Sequence, residues 1–364
     1  MLKKYIVYIC VHFIKITIIM WWRSILLSSL FIGALLASVP HLLWLVSSLI
    51  GRLAHLKVPY APFGWTALAL VAILWASLFS GRYIGMWRIR VNNIEYADAS
   101  VPAEFDGYRI VHISDLHVDT YDQNPEALAK VVERVNAQDP DIILFTGDMM
   151  TGGIGSVFQH SGTLRQLSAR DGVKSVMGNH DFFIYDFSYR NNSERMAAAD
   201  SLAAFEKDVL GWEVLRNRSM VLHRGADSLA IAGVDNTNGN QGFQTIQMGD
   251  LGKATEGLDG TFTVMMTHDP SHWAAEVLPR SQARITLSGH THAAQVRILG
   301  WSLAKLMFRE CDGRYDGGCY DPSYEGRMLY VNAGIGCTAP FRIGCPSEIT
   351  VITLRHRQTA GRLG

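Results

Sequence analysis

The sequence predicts an α/β fold built on two β-sheets, preceded by N-terminal helices that cross a membrane. Three observations carry this. The first eighty or so residues hold long uncharged apolar runs, Ile25 to Ile50 and Trp65 to Ser80. From Arg109 onward strands and helices alternate, and each strand ends in a cluster of polar residues, the place where open α/β sheets put their ligands. Beyond residue 210 come several short strands with little helix between them, which points to a second sheet packed on the first.

The run Ile25 to Ile50 is broken only by Ser, Gly33, Pro40 and His41. A bilayer needs ~20 apolar residues, and a core helix of a soluble domain is shorter than this run. Tyr5 to Ile19 is a third candidate span, weakened by His12 and Lys15. Little chain separates it from the next run, so two readings stay open: Met20 is the true start, or residues 5 to 19 lie at the membrane interface. The boundary falls near Val91 to Val101, giving a membrane region 1–90 of two or three spans and a soluble region 91–364.

Orientation is read two ways. Arg52, Lys57, Arg82, Arg88 and Arg90 lean toward a cytoplasmic soluble region. Cys311 and Cys319 bracket a Gly- and Asp-rich loop as a disulfide would, and Cys337 and Cys345 repeat the spacing, which suits an oxidising compartment. No CxxC is present, which argues against a zinc knuckle. Lys plus Arg and Asp plus Glu number 33 each, with no basic run, so nucleic acid is not an expected partner.

Arg109 to Ile113 reads as a strand ending in Ser114-Asp115-Leu116-His117. Asn124 caps a helix with Pro125 at its first position, and Leu128, Val131, Val132 and Val135 form its apolar stripe. Asp141 to Thr146 is a strand running into Gly147-Asp148, and Val173 to Met177 runs into Gly178-Asn179-His180-Asp181. An aromatic run from Phe182 to Tyr189 precedes an amphipathic helix, Ser193 to Leu210, with Met196, Leu202, Phe205 and Leu210 inward. Strands follow at Val221 to His223, Ser228 to Gly233, Thr261 to Thr267, Ala283 to Ser288, Gln295 to Ile298, Met328 to Val331 and Glu348 to Leu354.

Five strand ends therefore present Asp115, His117, Asp148, Asn179, His180, Asp181, His268, His290 and His292. One such group would be a turn residue. Five sets of carboxylate, imidazole and amide exceed what turn chemistry requires. His290 and His292, two apart in extended chain, project to one face and into one site. Nitrogen and oxygen donors without thiolate suit Mn²⁺, Fe or Zn²⁺, and the count exceeds one coordination shell, so two divalent ions are expected. Two such ions ~3.5–4 Å apart lower the pKa of a shared water and hold phosphoryl oxygens, while an imidazole can protonate a leaving oxygen. His112, inside a strand, reads as a packing residue, and His272 at most supports a ligand. His160 and His223 carry no motif.

The ordered set Asp115-x-His117, Gly147-Asp148, Gly178-Asn179-His180-Asp181, His268 and Gly289-His290-x-His292 resembles the calcineurin-like metallophosphoesterase superfamily over roughly residues 105 to 355. The resemblance implies a four-layer fold, a two-sheet β-sandwich flanked by helices. It implies that Asp115, His117 and His292 hold one metal, that Asn179, His268 and His290 hold the second, and that Asp148 bridges them. It also implies that His180 is the catalytic acid and that Asp181 orients it. Thr151 and Ala293-Ala294 depart from the pattern, which has Asp and Gly-Gly there. Neither departure is expected to touch a ligand, so only the outer hydrogen bonding is expected to differ.

With the apolar runs, the chain is similar to bacterial transmembrane metallophosphoesterases, some likened to UDP-2,3-diacylglucosamine pyrophosphatases. Residues 211–217, 231–235 and 329–336 share that likeness. The expectation is a multi-pass enzyme of the bacterial inner membrane, its partners the lipid bilayer and a phosphoester that a lipid carries. The aromatic run beside His180 is expected to line an apolar approach for such a substrate. A membrane sensor or scaffold that binds a phosphorylated ligand without turnover is the alternative.

Overall fold

The computed structural model describes residues 2–237, 247–307, 318–320 and 326–357, and divides the chain into two compact units, Met1–Ser80 and Gly81–Gly364. Helix α1 (Leu2–Leu53) is continuous, so no break separates residues 5–19 from the run that follows. Helix α2 (Ala61–Tyr83) returns beside it. The link between them folds back along α1: the Trp44 indole donates to the Val58 carbonyl at 3.3 Å, and Tyr60 Oη lies 2.7 Å from His41 Nε2. Two segments, Ile25–Leu53 and Ala61–Trp87, are long and apolar enough to cross a membrane, and their side chains are mostly exposed, as lipid-facing surfaces are.

The second unit begins with β1 (Ile89–Asp98) and β2 (Arg109–Ile113), then α3 (Pro125–Asn136), β3 (Ile142–Phe145), α4 (Gly155–Leu164), β4 (Val173–Ser175), α5 (Asn192–Phe205) and β5 (Glu213–Val214). There follow β6 (Arg218–Arg224), β7 (Asp227–Gly233), β8 (Phe262–Met266), β9 (Ile285–Ser288), a hairpin of β10 (Arg297–Ile298) and β11 (Trp301–Ser302), β12 (Gly318–Tyr320), β13 (Met328–Val331) and β14 (Ser347–His356). One sheet has the order β1-β14-β2-β3-β4-β5 and the other β12-β13-β9-β8-β7-β6. Ile89 to Asp98, which overlaps the expected boundary near Val91 to Val101, is a full edge strand paired in parallel with β14. Its mixed polar and apolar residues suit an edge, which hides the strand from a search for apolar runs.

Alternation along the strands divides the core. Ile110, Ile142, Leu144 and Ile352 face Leu229, Val264, Ile285 and Leu287 between the sheets. Val111, Ile143, Phe145 and Val351 face outward onto Leu128, Val131 and Val135 of α3 and Ala199 and Leu202 of α5. On the far side Ala232, Met265 and Leu329 meet Leu251, Trp273 and Val277. The result is four layers, helix, sheet, sheet, helix. Strands β2, β3 and β4 are mutually parallel, as are β7, β8, β9 and β13, so within each sheet the carboxyl ends of these strands lie together. The Cys311–Cys319 pairing lies outside the described residues. Cys337 and Cys345, by contrast, are buried free thiols, so their repeated spacing marks no disulfide.

The α5 helix ends in one wide turn, Glu206–Leu210, and Glu206 is fully buried, accepting from Ser175 Oγ at 2.5 Å. Burial, together with the Asp181 charge, pushes its carboxyl from 4.5 up to about 8. Below the lower value both folded and unfolded chains hold the proton. Between the two values only the folded chain does, so the group costs stability increasingly as pH rises. Glu206→Gln should therefore be more stable to unfolding than the wild type at pH 8, by ~2–4 kcal/mol, with the gap closing toward pH 4.5. Calorimetry at both pH values checks this, and an equal gap at each would contradict it.

Candidate metal centre

All seven expected ligands sit just past strand ends and converge. His117 and His292 bring their Nε2 atoms within 3.1 Å of each other, and His292 Nε2 lies 3.2 Å from Asp115 Oδ1. A second cluster joins His268, His290 and Asn179: Asn179 Oδ1 is 3.0 Å from His268 Nε2 and 2.8 Å from His290 Nδ1. Asp148 stands between the clusters, its Oδ2 3.8 Å from His117 Nε2 and 3.1 Å from His268 Nε2. His180 lies alongside, its ring 4.9 Å from that of His117.

Backbone geometry brings this about. Asp115, His117, Asp148, His290 and His292 all have positive φ, between 36° and 70°. Left-handed backbone costs an ordinary residue ~1–2 kcal/mol, and here it turns each chain sharply inward as it leaves its strand. Close approach does the rest. A Cβ on Gly178 would stand 2.2 Å from Asp148 Oδ1, so only glycine lets this loop lie against that carboxylate.

The donor set fits divalent cations. His268 donates Nδ1–H to the Thr146 carbonyl at 2.8 Å, so Nε2 is the atom aimed at Asp148 and Asn179. Facing two oxygens, that atom needs a positive charge. Burial opposes protonation there, yet Asp148 and Asp115 raise the ring to about 10, so the surroundings favour positive charge at this atom. His117, by contrast, is held neutral, drawn down to about 3 by burial and by His180, and burial with His117 lowers His292 likewise. Burial raises Asp115, whereas His268 and His180 overcome burial at Asp148 and hold it well below the usual range.

The surroundings differ from expectation in two ways. Asp181 does not orient His180. Its Oδ2 accepts from the amides of Asp148 and Gly178, and its Oδ1 from the amide of Met149, each at 2.8 Å. A short carboxylate beside a tight loop is satisfied by nearby backbone N–H groups, so Asp181 pins the two loops together. Burial and Asp148 raise it to about 7. The partner of His180 is the Thr151 carbonyl, 2.9 Å from Nδ1. Thr151 also reaches a ligand after all, with Oγ1 3.0 Å from His117 Nδ1. The other departure, Ala293-Ala294, adopts positive φ at both residues, a conformation glycine would take without strain.

Among the other histidines, His112 is buried in β2 against Thr146 Oγ1 at 2.9 Å, and His272 meets Thr267 Oγ1 at 3.1 Å. His160 lies 3.1 Å from Asp122, and His223 lies 2.9 Å from Ser228. Of the aromatic run, Phe182 and Phe183 are core, while Tyr185 tilts over His180 with ring centroids 4.5 Å apart.

Residues 108–294 match the model of the calcineurin-like phosphoesterase family. The chain belongs to that family. It is 29% identical over 281 residues to the uncharacterized metallophosphoesterase YkuE of Bacillus subtilis, covering 75% of this chain and 88% of that one. It is 28% identical over 313 residues to a transmembrane protein with metallophosphoesterase domain of Danio rerio, covering 84% and 66%. It is 24% identical over 327 residues to the UDP-2,3-diacylglucosamine pyrophosphatase LpxG of Chlamydia muridarum, covering 80% and 97%. This phosphoesterase is a metal-dependent enzyme that hydrolyses phosphoesters.

One residue of the phosphoesterase escaped the sequence reading. Arg342 is fully buried and donates from Nη2 to the carbonyls of Ala333 and Gly334, both at 3.0 Å, and of Gly336 at 2.5 Å. This holds the loop after β13 against Asp115 and His292, where a Cβ on Gly334 would meet His292 Nδ1 at 2.8 Å. Nothing local marks a lone arginine between Phe and Ile as buried. Its signal is the run of glycines at 334 and 336, which asks for something to hold it.

Gly178→Ala should displace Asp148, cut bound divalent metal in the purified protein, and lower phosphodiester hydrolysis by about 10²-fold or more, with the fold retained. Elemental analysis and circular dichroism check it. Full metal content in this variant would contradict the account.

Proposed function

We propose that the chain is a membrane-anchored phosphoesterase with a two-metal centre that cleaves a phosphodiester or pyrophosphate bond in a lipid-linked substrate such as UDP-2,3-diacylglucosamine. The observation that carries the two-metal reading is the place of Asp148 between two separate donor clusters, Asp115 with His117 and His292, and Asn179 with His268 and His290. In this reading each cluster would hold one ion, and Asp148 would serve both. Divalent ions, when bound, supply Lewis acidity to the phosphoryl oxygens and lower the pKa of a water. With oxygen and nitrogen donors only, Mn²⁺ is the first ion to test, then Fe and Zn²⁺.

His180 is the proton donor in this account. Its Nδ1–H is tied to the Thr151 carbonyl, so Nε2 faces the site and delivers the proton to the leaving oxygen. Thr151 then serves two rings, positioning His180 through its carbonyl and His117 through its hydroxyl. The lipid-linked substrate draws support from the likeness to LpxG and from the two apolar helices. A bacterial cytoplasmic membrane crossed by both helices accords with the same observations.

The test is hydrolysis of bis(p-nitrophenyl) phosphate with Mn²⁺, alongside metal titration. Asp148→Ala should abolish activity and weaken both metal sites, whereas His292→Ala and His268→Ala should each weaken one. Activity that survives Asp148→Ala would sink the mechanism. Thr151→Val, which keeps the carbonyl but loses the hydroxyl, should weaken one metal site ~10–100-fold and spare the other, as read by calorimetric titration. His180→Gln should leave metal binding intact and slow hydrolysis ~10²–10⁴-fold. Mass spectrometry of a membrane lipid extract incubated with wild type or His180→Gln then tests the substrate: a lipid-linked phosphoester consumed only by the wild type is expected.

A further inference from the structure

The β10–β11 hairpin has no part in the metal centre, yet it starts five residues after His292. Its cross-strand pair is Ile298 and Trp301, 62% and 52% exposed, and Leu299 at the tip is fully exposed. The two turn residues, Leu299 and Gly300, have φ of 50° and 82°. A two-residue hairpin turn with positive φ at both positions favours Asn-Gly, because Asn tolerates the left-handed conformation and water solvates it. A leucine there is strained and exposes apolar surface. Neither folding nor solubility favours that choice, so its explanation lies in what the tip touches.

The hairpin is firmly rooted. Arg297 donates its backbone N–H to the Ile343 carbonyl at 2.7 Å, and Leu303 donates to the Val296 carbonyl at 3.0 Å. The Gln295 amide donates to the carbonyls of Ala339 and Phe341 and accepts from Thr338 and Ala339, all within 3.0 Å. The tip is thereby held on the catalytic side, on chain leaving the carboxyl end of β9. A second apolar group projects beyond the carboxyl end of β4: Phe187, 90% exposed, follows Tyr185, which lies over His180.

We infer that the β10–β11 hairpin inserts its tip into the bilayer interface and seats the catalytic face on the membrane that carries the substrate. The bilayer is the occupant because the same chain carries two segments long and apolar enough to cross one, which would tether the catalytic unit to a membrane. Trp301, half exposed on β11, is the side chain that favours the boundary of water and lipid. The consequence for turnover rests on the phosphoesterase reading above, whereas insertion does not.

Two measurements on the full chain in phosphatidylcholine–phosphatidylglycerol nanodiscs test this. With photoreactive benzoylphenylalanine in place of Leu299, illumination should yield lipid adducts. In place of Glu256, exposed ahead of β8 at the opposite end of the strands, it should yield none. No lipid adduct at position 299, equal adducts at both positions, or cross-links to a second copy of the chain would each overturn the proposal. Leu299→Asn relaxes the turn while removing the apolar tip. It should slow hydrolysis of a p-nitrophenyl phosphatidyl ester in the bilayer about tenfold or more, while bis(p-nitrophenyl) phosphate is cleaved at the wild-type rate and thermal stability does not fall. Equal loss on both substrates would assign the hairpin to support of the site and refute insertion. If the wild type cleaves neither substrate, the functional reading fails and the cross-links alone decide insertion.

Discussion

Asp148 carries a negative charge where water does not reach it, and the catalytic end of the molecule is organised by how that charge is satisfied. One oxygen accepts the His180 amide, and the other faces His117 and His268. An unpaired carboxylate in such a place would cost several kcal/mol, so positive charge must gather around it. Deeper in the same unit lie two more buried acids, and they pay in protons instead. Asp181 is raised to about 7 and Glu206 to about 8, each by burial and by the charge of an acid nearer the site. A negative charge at the candidate metal centre thus discourages a second negative charge on its buried neighbours.

The supporting contacts follow from the same demand. Each candidate ligand ring is aimed by a hydrogen bond at its other nitrogen where the chain offers one: the Thr146 carbonyl for His268 and the Thr151 hydroxyl for His117. Asp181 ties the loops after β3 and β4 together through three backbone amides, and Arg342 ties down the loop after β13 through three carbonyls. One acts as an acceptor for N–H groups and the other as a donor to C=O groups, so between them they replace the strand ladder where strands have ended.

Much of this was legible in the sequence, because apolar runs ending in Asp, His or Asn mark both the strand and its functional end. The strands β2, β3, β4, β8 and β9 and their terminal motifs are legible this way, as is the apolar run of β13. Less regular features were not. The edge strand β1 mixes Asn92, Asn93 and Glu95 with Ile89, Val91 and Ile94, a pattern that also suits a linker. The partnership of Asp181 with His180 that the family resemblance implies is not made: the chain turns left-handed at Phe183, and nearby amides take the Asp181 carboxylate. Arg342 is invisible to reasoning from polarity, which places arginine at the surface. The cysteine spacing misled because thiols eight residues apart can both be buried singly around one arginine.

The left-handed backbone at five of the seven candidate ligand positions bears on attempts to move this centre elsewhere. A scaffold given the same side chains on regular strand ends would aim them along the strand, not into a common space. The coordination geometry is written in main-chain torsions and in the glycines that let neighbouring loops touch. Any transplant would have to carry the loops whole, and any directed evolution of substrate range has more freedom at the rim than at the positions where side chain and torsion are chosen together.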